Sequence, residues 1–165
     1  MQMSSFEEMY TAELQEARSF EEMLTDALPR MAKLANHKEL VRAFEDHLEE
    51  TRTHLDHVSE LLRLHNAAPA HRDGSVQAMI REAEKMAEMP PKGPLRDAAL
   101  IESAQRIEHY EIAVYGTLAT FAKGLGRPDD KRILGAILEE EKAADQALTD
   151  IATGLVNPQA IAAAA

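Results

Sequence analysis

An all-α fold, arranged as an antiparallel four-helix bundle with one long crossover, is predicted by three observations. Apolar residues recur in alternating steps of three and four along four long stretches. All seven prolines (29, 69, 90, 91, 94, 128 and 158) fall outside two long segments, 30–68 and 95–127, so helices there can run unbroken. No segment shows the alternation of a half-buried strand. A chain of 165 residues is near the usual size of one domain. Residues 1–157 are therefore read as a single bundle domain, and the Ala-rich segment 158–165 as a frayed tail.

The first helix starts from Ser4 or Ser5 as N-cap and carries Phe6, Tyr10, Glu13, Ala17, Phe20, Leu24, Ala27, Met31 and Leu34, with a bend expected at Pro29. The second carries Val41, Phe44, Leu48, Thr51, Leu55, Val58 and Leu62 and ends before Asn66-Ala67-Ala68-Pro69. A polar loop follows, and Ser75 is placed to cap a short amphipathic helix, Val76 to Met89, that stops at Pro90-Pro91. The third long helix begins around Pro94 to Asp97 and runs through Leu100, Ala104, Ile107, Glu111, Val114, Leu118 and Phe121 to Gly124-Leu125-Gly126. The fourth begins near Pro128 and carries Leu134, Ile137, Glu141, Ala144, Leu148, Ile151 and Leu155. Two short turns and one connection of about 28 residues describe the ferritin-like arrangement better than a plain up-and-down bundle.

Composition narrows the function classes. Against 18 Lys+Arg stand 29 Asp+Glu, a net charge of −11, which argues against nucleic-acid and anionic-membrane partners. Zero cysteines remove disulfides, thiolate zinc sites, iron–sulfur clusters and cysteine nucleophiles. A transition metal would have to be held by carboxylates and imidazoles. No apolar run approaches a membrane span, and the first residues lack the basic and apolar regions of a signal peptide, so a cytoplasmic location is expected.

The informative acids are those in apolar registers, because burying an unpaired carboxylate costs several kcal/mol, about 3–5 by the usual measure. Glu13 is the single charged residue in its stripe, Glu141 the single polar one, and Glu108 and Glu111 share a face of the third long helix. The second helix offers Glu50 and His54 at i,i+4, with His47 one turn earlier and His57 just beyond; the fourth offers Glu141 and Asp145 at the same spacing. From a turn near residue 126, Glu111 and Glu141 are each about 15 residues away and stand level. From a turn near residue 36, Glu13 and Glu50 differ by roughly 13 Å in height. His54 reduces that gap and His47 increases it.

Four helices converging on acids with an imidazole suit two adjacent hard or borderline cations, iron or manganese, with open positions for dioxygen or peroxide. The alternative is a set of buried or rim acids paired with Arg18, Arg52 or Arg106. Tyr10, Tyr110 and Tyr115 are read as packing residues with a polar tip. His109 is read as the partner of a neighbouring carboxylate. Gly116 and Gly135, inside long helices, suggest close approach of a neighbouring backbone. The face of the short helix carrying Met79, Ile80, Ala83 and Met86 must be buried against the bundle or a second subunit, and a homodimer is expected.

Six blocks resemble the YciE/YciF family of bacterial stress-associated ferritin-like proteins. They are Tyr10-Thr-Ala-Glu13-Leu-Gln15, His47-Leu-Glu-Glu50-Thr51, Arg96-Asp-Ala-Ala-Leu-Ile101, Glu108-His-Tyr-Glu111-Ile112, Tyr115-Gly-Thr-Leu118 and Glu139-Glu-Glu141-Lys142-Ala-Ala-Asp145. The resemblance implies a four-helix bundle, a dimer and a di-metal centre of the kind found in rubrerythrin and bacterioferritin, with ferroxidase activity. It implies metal positions at Glu13, Glu50, Glu108, Glu111, Glu141 and Asp145; His54 is added from its spacing. The expectation is thus two Fe or Mn ions per chain, acting on Fe(II), dioxygen or hydrogen peroxide. A non-catalytic helical scaffold without a working metal centre is the alternative.

Overall fold

The computed structural model describes residues 3–163. Its elements are α1 (Phe6–Leu34), α2 (Lys38–Leu64), α3 (Gly74–Glu88), α4 (Pro94–Gly124), α5 (Pro128–Ile151), a π-helical turn (Ala152–Val156) and α6 (Asn157–Ala163). The long helices α1, α2, α4 and α5 form the four-helix bundle. No strand occurs among the described residues.

Capping chemistry sets the helix starts. Ser5 and Glu8 form a reciprocal capping box: Glu8 N–H donates to Ser5 Oγ at 3.1 Å and Ser5 N–H donates to Glu8 Oε2 at 3.2 Å. Pro94 and Pro128 stand at the first positions of α4 and α5, where a missing N–H costs nothing. Gly126, at φ +70°, closes α4 in a conformation that few other residues tolerate, and Arg127 N–H returns to Ala122 O at 2.9 Å. α3 is capped by Asp73 rather than Ser75; Asp73 Oδ1 accepts from the amides of Ser75 and Val76, satisfying two orphan donors of the first turn. Pro29 lies inside α1 without dividing it.

The two helix hairpins, α1–α2 and α4–α5, pack side by side through α1 on α4 and α2 on α5. Their core is drawn from fully buried side chains including Tyr10, Phe20, Leu40, Leu61, Leu118 and Ile137, each worth about 1.5–3 kcal/mol of burial. Asp97, near the start of α4, fastens the opposite turn: its Oδ1 accepts from Asn36 N–H at 2.7 Å and its Oδ2 from His37 N–H at 2.9 Å. α3 buries Val76, Ile80, Ala83 and Ala87 against α4 and α1, so its apolar face is satisfied within the chain.

A further expectation is corrected. A Cβ added at Gly116 or Gly135 would meet nothing within 4 Å, so neither glycine marks a close backbone approach. In the segment read as a tail, Asn157–Ala163 form α6, which buries none of its side chains, and residues 164 and 165 lie outside the described residues.

Candidate metal centre

The buried stripes of the helices meet at mid-height of the bundle. On α1 the buried positions Leu14, Ala17, Glu21, Leu24, Leu28 and Met31 follow steps of three and four, and Glu21 is their one acid. On α2 the buried set is Leu40, Phe44, His47, Thr51, His54, Val58, Leu61 and Leu62; Phe44, Thr51, Val58 and Leu62 are buried as read, while Leu40, His47 and His54 are buried in place of Val41, Leu48 and Leu55 one residue on. That offset brings both histidines inward. α4 contributes Glu108 and Glu111, and α5 contributes Glu141.

These residues form two overlapping groups, each with donor atoms within 4.8 Å of one another: His47, Glu108, Glu111 and Glu141, and Glu21, His54 and Glu141. Glu141 belongs to both. His47 Nε2 lies 3.3 Å from Glu108 Oε1 and 3.7 Å from Glu141 Oε2. His54 Nδ1 lies 3.0 Å from Glu141 Oε1, without hydrogen-bond alignment, and 3.7 Å from Glu21 Oε1. The outward nitrogens face rim carboxylates, His47 Nδ1 meeting Glu50 Oε2 at 3.2 Å and His54 Nε2 meeting Glu140 Oε2 at 2.6 Å. Such outer carboxylates fix the imidazole tautomer and leave the inner nitrogen free to ligate. Tyr115, fully buried, donates its hydroxyl to Glu21 Oε1.

The electrostatics are those of a site designed around positive charge. Burial, and then the neighbouring Glu141, push Glu21 up to about 8. Burial likewise raises Glu108 to about 8, and it lifts Glu111 well above the carboxylate range with help from Glu141 and Glu21. Burial opposes charge on the imidazoles, but the surrounding carboxylates outweigh it, led by Glu108 for His47 and by Glu141 and Glu21 for His54. The result is about 10 and about 9 respectively. Protons thus supply the charge that the carboxylates lack.

The donor set could hold metal. Of the nine buried side-chain N/O atoms without a hydrogen-bond partner among the described residues, seven lie here: Glu21 Oε2, His54 Nδ1, Glu108 Oε2 and both carboxylate oxygens of Glu111 and Glu141. Buried polar groups are otherwise satisfied almost without exception, so this concentration calls for a ligand. Four carboxylates and two imidazoles without thiolate are oxygen and nitrogen donors that could hold metal once deprotonated.

Of the residues expected at the site, the structure brings together His54, Glu108, Glu111 and Glu141. It does not bring Glu13, which is half-buried about two turns from Glu21 along α1. Glu50 stands at the rim on His47, with its side chain 47 % exposed. Asp145 turns to Gln105 Nε2 at 3.0 Å and to the exposed His109 at 3.3 Å. The sequence patterns do not single out Glu21 or Glu140, and they offer His47 only as a neighbour of Glu50 and His54. Height would have found Glu21, which stands about 15 residues before the α1–α2 turn and so between the levels of the α2 donors His47 and His54, about 11 and 18 after it.

A ferritin-like four-helix bundle with a carboxylate and imidazole cluster at its centre is therefore the class of this protein. The chain belongs to the family described as the domain of unknown function DUF892, which it matches over residues 5–161. It is 40 % identical to protein YciF of Escherichia coli strain K12 over 162 residues, covering 97 % of this chain and 98 % of that one. The crystal structure of the E. coli stress protein YciF superposes with a TM-score of 0.89 at 39 % identity, over 94 % of this chain and 99 % of the other. The YcfI protein of Rhodopseudomonas palustris superposes with a TM-score of 0.83 at 34 % identity, over 88 % and 94 % of the two chains. No helix among the described residues is long and apolar enough to cross a membrane.

Proposed function

We propose that the cluster holds two iron or manganese ions and that the protein is an oxidoreductase of the stress response. It would oxidise Fe(II) with dioxygen or hydrogen peroxide, or consume peroxide. The observation that carries this reading is the sharing of Glu141 by two donor groups that hold seven unpartnered buried atoms. The similarity to YciF, called a stress protein, supports the physiological setting.

His47, Glu108 and Glu111 would hold one ion, Glu21 and His54 the other, with Glu141 common to both. Bound there, the ions would supply one-electron steps to an oxidant in a site largely closed to water. The chain's own part is to orient and to neutralise. Glu50 and Glu140 hold the imidazoles, Tyr115 orients Glu21, and protons leaving the carboxylates and imidazoles make room for the cations.

Elemental analysis after supplementation with iron and manganese tests the reading. About two metals per chain in the wild type, lost in Glu111→Gln/Glu141→Gln, is the expected result. A folded wild type without bound metal would leave the cluster as a polar device of a non-catalytic bundle.

A further inference from the structure

The seam between α2 and α5 is open where the seam between α1 and α4 is covered by α3. A cleft of about 280 Å³ occupies it, and its inner end is formed by His47 and Glu108. Glu108 is 4 % exposed, and its Oε2 has no partner. The cleft therefore ends on donors of the metal centre.

Its two walls differ. α2 lines the outer part with Glu39, Asp46 and Glu50, against a single cation, Arg42, whose guanidinium lies 4.0 Å from Glu39. α5 supplies Ala143, Ala144 and Ala147, which leave space and offer no donor atom. Acids at a mouth with low-dielectric walls raise the local concentration of cations. A path between them without ligands does not trap an ion on the way, since passage requires binding weak enough to release. Glu50 alone spans both regions: its side chain is 47 % exposed, yet its Oε2 sits 3.2 Å from His47 Nδ1.

We propose that the α2–α5 cleft is the path by which divalent cations reach the centre, with Glu50 as the carboxylate that hands them to its inner donors. The inference rests on the metal reading of the cluster. Glu50 is then a transfer ligand, which explains why it stands at the lip and not among the buried donors.

Stopped-flow uptake of Co(II), followed through the visible absorption of the bound ion, tests the path in three variants of the full chain. Ala147→Trp fills the cleft from an exposed position and Glu50→Gln removes the transfer charge, while Ala113→Trp, on the exposed side of α4, is the control. Circular dichroism confirms that each is folded. Uptake at least tenfold slower in Ala147→Trp, at unchanged final stoichiometry, and in Glu50→Gln at a Co(II) concentration that saturates it, with the control at the wild-type rate, is expected. Added salt should slow the wild type towards Glu50→Gln. Wild-type rates in both variants would overturn the path and leave the centre standing. Slow uptake in Ala147→Trp alone would overturn the part given to Glu50. A wild type that takes up no Co(II) would overturn the centre and the path together.

Discussion

The exposed carboxylate of Glu140 meets the buried imidazole of His54, Oε2 to Nε2, at 2.6 Å. The contact crosses from α5 to α2, and it turns the other ring nitrogen towards Glu141, the next residue in sequence. Removing such an outer carboxylate typically costs 10–100-fold in metal affinity. Glu140→Ala should therefore bind two ions at saturation but weaken one of them by about tenfold or more. Competition titration against a chromophoric chelator reads the loss, and an unchanged affinity would deny Glu140 its part.

The metal-free protein should lose stability as pH rises. Glu21 and Glu108 titrate at about 8 in the fold and near 4.5 once unfolded, so above pH 4.5 the unfolded state gains from ionising them. His54 and His47, raised to about 9 and about 10, add stability that is complete below about 6.5 and disappears through those values. All four shifts point the same way. Thermal unfolding in chelator should give a higher Tm at pH 6 than at pH 8.5, and saturating Mn(II) should offset the loss at pH 8.5. A Tm that climbs from pH 6 to pH 8.5 in chelator would contradict the assignment.

The two acids of α1 should separate cleanly. Glu21→Gln removes a fully buried member of the His54 group, and metal content should fall from about two per chain towards one. Glu13→Gln should leave it unchanged. Parallel elemental analysis of the two purified variants decides between them.

Glu111→Gln should dissociate stability from metal binding. Both carboxylate oxygens of Glu111 are buried without a partner, and burial keeps the group protonated well above the usual range. A neutral amide of the same shape replaces a neutral acid, so the metal-free variant should unfold within about 1 kcal/mol of the wild type by urea titration. The ion held by the His47 group should be lost.

The bundle itself was legible because prolines and glycines mark its boundaries. Pro94, Pro128 and Gly126 stand where the helices begin and end, and the alternating steps of α4 and α5 gave Glu108, Glu111 and Glu141 directly. On α1 and α2 two apolar registers compete. Tyr10, Phe20 and Ala27 support a stripe through Glu13, Leu14 and Leu28 support one through Glu21, and Ala17, Leu24 and Met31 belong to both; the structure buries both stripes and leaves Glu13 half-buried. On α2 Phe44, Thr51, Val58 and Leu62 were legible, but His47 and His54 are polar at buried positions, so the apolar Leu48 and Leu55 one residue away take their places in a hydrophobic pattern. The rim partners Glu50 and Glu140 are exposed acids among many, and nothing local distinguishes them from solvated charge.

The placement of α3 divides the bundle into a braced side and a loose one. α1 and α4 are strapped together by a fifth helix, and Asp97 pins α4 to the opposite turn, whereas among the described residues α2 and α5 are joined to each other by side-chain packing and by the contacts of His47, His54 and, at the end of α2, His65 with Asp130 at 2.6 Å. Any breathing of the molecule that spares both turns must go by parting α2 from α5. Amide protons on those two helices should exchange at lower protection than those on α1 and α4, and because His47, His54 and Glu141 sit on the parting faces, a bound ion would act as the clasp.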